Sequence, residues 1–202
     1  MNKITKIMAG LLLAASVYGT AFGQSFVNGT VNKSATGTTS ATVVVEPSNA
    51  PVEITDLRAR FDSGVSTGLV VFRSGDAQYQ ITSSTSASQS VVSFANTGTA
   101  VGVGEYIIVF DASAGDYLLR HVTAATTTSV TVNTAITPAL TVLDDIVWSV
   151  DSSVERPTSN LVSGTDAFGR VWLPAGRPTA VTVDGNTTAC RISLSGVRGT
   201  SK

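Results

Sequence analysis

Residues 104–136 read GEYIIVFDASAGDYLLRHVTAATTTSVTVNTAI. Apolar, β-branched and aromatic residues dominate three runs: Glu105 to Phe110, Tyr117 to Ala124 and Ser129 to Ile136. DASAGD at 111–116 and TTT at 126–128 separate them, and clusters of Asp, Gly, Ser and Thr of this kind turn a chain between strands. In the third run Val130, Val132 and Ile136 share one face at the two-residue period of a strand. Ile146, Trp148 and Val150 continue that alternation, which assigns Trp148 to a core. Residues 102–152 therefore read as a small antiparallel meander or partial barrel.

The same texture extends outward. Before this unit, strands are expected at Thr42–Val45, Val52–Phe61, Leu69–Phe72, Tyr79–Ile81 and Val91–Ala95. The alternation of Val52 and Ile54 slips by one at Asp56-Leu57 before resuming at Leu57, Ala59 and Phe61, the mark of a β-bulge. Ser74-Gly75-Asp76 reads as a turn. After the unit, residues 152–165 read as a connector, and Phe168–Leu173, Thr179–Val183 and Thr188–Leu194 as strands, the last two joined by an Asp184-Gly185 hairpin signal. No segment has helical periodicity; Ala139–Asp145 has room for one helical turn. No fixed-period repeat points to a propeller or β-helix. The expected fold is all-β, an antiparallel β-sandwich or jelly-roll-like domain built from 41–101 and 153–198 with 102–152 inserted. The alternative is one continuous β domain over 41–198.

The N-terminus has a different character. Lys3 and Lys6 precede an uncharged apolar run from Ile7 to Val17, and Ala21-Phe22-Gly23 puts small residues at the −3 and −1 positions before Gln24. This is the pattern of a cleavable secretory signal over 1–23. The apolar run falls short of the roughly 20 residues of a membrane span. Cleavage leaves 11 basic against 14 acidic residues and no further apolar stretch long enough to span. Residues 24–40 are polar and rich in Gly, Ser and Thr, and are expected to form a flexible arm. Phe26, Val27 and Val31 are its large apolar residues, the ones able to add a strand to a neighbouring sheet.

Composition narrows the function. Of 202 residues 13% are charged, against about 25% in ordinary soluble domains. Ser and Thr make up about a quarter of the chain. Leu, Ala, Glu and Lys at helical spacing are too scarce for a bundle. A pI of 5.7 gives no basic face for nucleic acid. One cysteine cannot staple a disulfide scaffold, and by alternation Cys190 lies inward with Ile192 and Leu194 as a buried thiol.

Catalytic chemistry finds few footholds. The single imidazole, His121, shares a strand face with Leu119 and Thr123, and no G-x-S-x-G stands near it. One His and one Cys are too few for a zinc site. Asp111 with Asp116, and Asp144-Asp145, are the nearest calcium candidates, yet Asp at turns more often bonds the local backbone. Glu46, Glu53, Glu105 and Glu155 form no distinctive carboxylate motif, and GTAVGVGEY at 98–106 lacks the Lys-Ser/Thr of a phosphate loop. No cofactor, metal or catalytic residue is assigned. Sugar stacking on an aromatic is the better-founded activity. Trp172 alternates away from Val171 and Leu173 and is expected to face outward.

GEYIIVFDAS, YLLRHVTA, SVTVNTAI and DDIVWSV together resemble small β-barrel modules of phage and other surface-assembly proteins. The low charge and Thr/Ser/Val/Gly richness resemble subunits of extracellular filaments and surface layers. The resemblance implies a structural role. The sequence thus points to a secreted, non-enzymatic β protein that self-associates or binds other extracellular proteins in assembly or adhesion, with a polysaccharide-binding module as the alternative. The lysine deficit fits this: after cleavage only Lys33 and Lys202 remain, whereas exposed sheet edges usually carry lysines as protection.

Overall fold

A computed structural model describes residues 29–61, 68–94, 101–137, 139–142, 145–158, 161–162, 171–184 and 189–199. In chain order the strands are β1 (Thr30–Gly37), β2 (Ser40–Val45), β3 (Val52–Phe61), β4 (Gly68–Gln80), β5 (Gln89–Ser93), β6 (Tyr106–Asp111), β7 (Asp116–Ala125), β8 (Ser129–Ile136), β9 (Ile146–Thr158), β10 (Leu161–Val162), β11 (Val171–Leu173), β12 (Thr179–Asp184) and β13 (Cys190–Arg198). The fold is all-β and antiparallel. One sheet runs β1-β13-β3-β10, with β11 also on β3; the other runs β2-β12-β4-β9-β6-β7-β8-β5. Among the described residues no helix is long and apolar enough to cross a membrane.

The first core is a sandwich. Val31, Val43, Ile54, Leu57, Phe72, Val181 and Ile192 meet between the two sheets, each from an alternating strand. The bulge expected in β3 is present: β13 pairs Gly196 with Ile54 and Ser195 with Asp56, leaving Thr55 over. That extra residue keeps Leu57, Ala59 and Phe61 buried after the slip.

The second core is a curled half-barrel. Ile107, Val109, Val122, Val130, Ile136 and Val147 line it, and a bridge from Ile81 to Phe94 brings the last strand back to the end of β4. β4 runs from the first core to the second, and β9 pairs along it. Their register jumps from Ser74–Ser152 to Gly75–Val150 and then to Gln78–Trp148, so bulges on both strands face each other at the junction. The Ser149 hydroxyl fills the irregularity, 3.2 Å from the Ala77 N–H and 3.4 Å from the Ala77 carbonyl. A Cβ on Gly75 would come within 3.1 Å of the Pro178 ring.

Three expectations are corrected. Ser74-Gly75-Asp76 is the bulge within β4, not a turn; both use the same Gly/Asp signal to bend a chain. Residues 152–158 belong to β9 rather than to a connector. Among the described residues β6 pairs with Ile146–Ser149 of that strand by way of Ile107–Phe110 and nothing pairs with that side of its remainder, where Pro157 is tolerated. Thr30–Ser40, expected within a flexible arm, forms β1, a turn and the start of β2. β1 is held along its length by the backbone of β13, and side-chain hydrophobicity, the signal its sequence lacks, contributes only Val31 and Ala35 to the core. The half-barrel also draws on Ile81, Val92 and Phe94, which precede residue 102 in sequence.

Candidate binding cleft and assembly edge

The eight-stranded sheet has a second face. Register sets Thr42 beside Thr182 and Thr182 beside Val71, Val44 beside Ala180 and Ala180 beside Arg73. Across the junction it sets Tyr106 beside His121, and Ile108 beside both Leu119 and Trp148. Alternation turns all of these away from the two large cores. The bent β4–β9 ribbon folds its two flanks toward one another on this side, and β2 approaches β7. One end is filled by Ile108, Tyr117 and Ala180 with Val44, Phe110, Leu119, Trp148 and Val150 packed on them. Trp148 therefore packs in this third cluster, on the far side of the sheet from Val147.

The other end stays open as a cleft of about 400 Å³, bordered by Ser40, Thr42, Val71, Arg73, Tyr106, Leu119, His121, Asn133, Thr134, Thr182 and Asp184. The Arg73 guanidinium lies 4.1 Å above the centre of the Tyr106 ring. His121 tilts against the same ring at 5.0 Å and 58°. The Thr42 and Thr182 hydroxyls are 2.9 Å apart and share a hydrogen bond. The His121 backbone N–H donates to Asn133 Oδ1 at 3.2 Å, which leaves the Asn133 amide hydrogens directed elsewhere. A second cleft of about 460 Å³ adjoins it between β1, β2 and β7 and contains Lys33, Asp116 and Arg120. Arg120 Nη1 donates to the Leu119 carbonyl at 2.9 Å, its buried Nε has no hydrogen-bond partner among the described residues, and burial lowers its pKa from the ordinary arginine value.

The residues singled out in the sequence do not converge on either cleft. Trp172 sits on β11 and is 53% exposed. Glu53 pairs with it on one side and with Val197, 47% exposed, on the other, so a partly apolar row crosses the outer face of the five-stranded sheet. Val31 is 4% exposed and buried in its own sandwich core, which corrects its assignment to an arm reaching a neighbour. Phe26 and Val27 lie outside the described residues. Cys190 is buried, with Sγ 3.7 Å from the Val183 carbonyl. Asp111 Oδ1 accepts from Ser113 N–H (2.9 Å), the Ser113 hydroxyl (2.6 Å) and Ala114 N–H (3.3 Å), the local turn bonding expected of it. Of the residues bordering the first cleft, the sequence drew attention to His121 as the single imidazole and to Tyr106 as one of several aromatics able to stack on a sugar. Arg73 and Tyr106 are 33 positions apart and meet only through the bulged ribbon, so no local pattern joins them.

No family model matches the chain, and no curated protein matches it. Solved structures give distant likenesses. VP17, a capsid protein of bacteriophage P23-77, is 11% identical over 84% of this chain and 96% of its own, with a TM-score of 0.26. The complex of VP16 and VP17, the two major capsid proteins of that phage, gives 11% identity, coverage of 85% and 100%, and a TM-score of 0.24. The virus-like particle of the extra small virus of the giant freshwater prawn Macrobrachium rosenbergii gives 11%, 87% and 83%, with a TM-score of 0.13.

Proposed function

We propose that residues 1–23 direct export and that the remainder is a non-enzymatic structural subunit. It assembles with further copies of itself or with other proteins at or beyond the cell surface. The observation behind this reading is one side of the sandwich. Among the described residues β1 and β2 each end their sheet on one side, and they lie next to each other. From Thr30 to Val45 this side carries one charge, Lys33, which is engaged by Glu46. Edge strands present unpaired N–H and C=O groups, and proteins that remain solitary blunt them with charges, prolines or bulges. An edge with so little charge is suited to accept a strand from another chain by β-augmentation. Phe26 and Val27, just ahead of β1, belong to the segment that would donate one. The Trp172–Val197 row adds an apolar contact surface on the outer face of the same sheet.

Ser34 and Thr36 are exposed on β1, so replacing both with Lys leaves the folded subunit near its original stability. The expected result in light scattering is an oligomer for the unsubstituted chain and a mass shifted toward that of a single chain for the S34K/T36K variant. Equal masses for the two proteins would refute edge pairing at β1. Polysaccharide binding is a second reading, favoured by the 53% exposure of Trp172. It requires binding to some glycan that Trp172→Ala abolishes; a glycan panel without a hit for the unsubstituted chain removes it.

A further inference from the structure

The open end of the cleft between β2–β12 and β6–β7 holds an arginine, Arg73, that no described carboxylate pairs with. The described arginines in ion pairs are Arg58 with Asp56, Arg177 with Asp76 and Arg198 with Glu46. Arg73 is half-buried, and among the described residues it has the Tyr106 ring as its neighbour and no carboxylate within ion-pair distance. A cation over an aromatic face is fixed in position, yet its N–H groups are not used up by the ring. The guanidinium is a planar fork of five donors, matched to two oxygens of one carboxylate or phosphate group. Around it the cleft offers neutral polar groups: the paired hydroxyls of Thr42 and Thr182, Ser40, Thr134 and the amide of Asn133. His121 and Leu119 also line it. The volume of about 400 Å³ falls in the range of small-ligand sites, about 300–1,000 Å³.

We propose that this cleft binds a small, hydroxyl-rich molecule bearing one oxyanion, an acidic sugar, with Arg73 holding the anionic group. The Thr42, Thr182 and Asn133 side chains bond its hydroxyls. The composition of the rim selects against larger polyanions. Asp184 borders the cleft, and the chain as a whole is acidic, so a nucleic acid strand would meet repulsion at its second phosphate. The site adjoins the β1–β2 edge through Ser40 and Thr42 of β2, and its test reads Arg73 on β4 rather than assembly.

The test uses three probes with one ring: glucuronate, glucose 6-phosphate and glucose, titrated into the folded chain and followed by NMR shifts and calorimetry. Binding of glucuronate in the millimolar range, about tenfold or more tighter than glucose, supports the proposal. Glucose 6-phosphate binding tighter than glucuronate assigns the oxyanion as phosphate; the reverse order assigns it as carboxylate, and either keeps the Arg73 site. Arg73→Gln is expected to weaken the anionic probe by about tenfold to a hundredfold, the loss of a charge-assisted pair. Arg58→Gln removes the same charge from the outer sheet face and is expected to leave binding unchanged. Circular dichroism confirms that R73Q is folded, and Arg73→Lys, which keeps the charge without the fork, is expected to bind more weakly than arginine. Equal affinity for glucose and both anions, equal losses in R73Q and R58Q, or no binding of either anion would overturn the proposal.

Discussion

Asp145 is 1% exposed, and its carboxylate ties together two loops of the half-barrel. Oδ1 accepts the Ala112 N–H at 2.7 Å from the turn between β6 and β7. Oδ2 accepts both the Thr141 N–H and the Thr141 hydroxyl, the latter at 3.2 Å, from the loop that leads into β9. Asp145→Ala leaves two backbone donors without their acceptor, and the hydroxyl turns to water. A donor stranded in this way costs about 1–3 kcal/mol. Ala112 and Thr141 are themselves exposed, so water replaces part of each bond and the lower half of that range applies. Two donors at about 1–2 kcal/mol each give an expected loss of about 2–4 kcal/mol, which for a chain of this size lowers Tm by about 4–16 °C. Asp145→Asn keeps one oxygen and turns an amide donor toward a donor, so its loss is smaller but measurable. Urea unfolding followed by circular dichroism, with thermal melts in parallel, reads both variants. An Asp145→Ala protein within about 0.5 kcal/mol of the original would refute the role given to this carboxylate.

Gly37→Ala places a Cβ 1.7 Å from the Ser40 carbonyl oxygen, so the β1–β2 turn has to open; a loss of about 1–3 kcal/mol or more is expected in the same unfolding assay, and an unchanged midpoint would contradict the turn geometry. Val31→Ala removes two methyl groups from the sandwich core and is expected to cost about 1–3 kcal/mol, whereas a free arm would show no effect. The Cys190 thiol is expected to resist Ellman's reagent in the native protein and to react fully in urea; fast native labelling would show that the β12–β13 side of the core is open.

Where a strand buries one face, its sequence announced it. The slip at Asp56-Leu57 was legible because Val52, Ile54, Leu57, Ala59 and Phe61 all have to reach one core, and the bulge follows from that demand. The hairpins of 105–136 were legible for the same reason, with turn residues at each end. β1 was not legible, because TVNKSATG carries one large apolar residue and owes its place to backbone pairing with a strand more than 150 positions away. The second half of β9 was hidden by Pro157, a breaker in a central strand and harmless on an edge. The cleft was the least legible feature. Thr42, Arg73, Tyr106, His121 and Thr182 come from five strands, and two facing bulges decide that they share a space. Trp172 was read as outward-facing from its neighbours alone, since a two-residue period suffices for one strand.

Assembly through the β1–β2 side is the central claim, and the molar mass of the chain from Gln24 to Lys202 across a concentration series tests it most directly. Static light scattering after size exclusion is expected to give a mass above that of one chain, rising with concentration as edges find partners. S34K/T36K tests the edge itself: each pair of exposed lysines facing across a paired edge costs about 0.2–1 kcal/mol, which moves the mass toward that of a single chain. The mass of a single chain at every concentration, with and without the two lysines, would contradict the account.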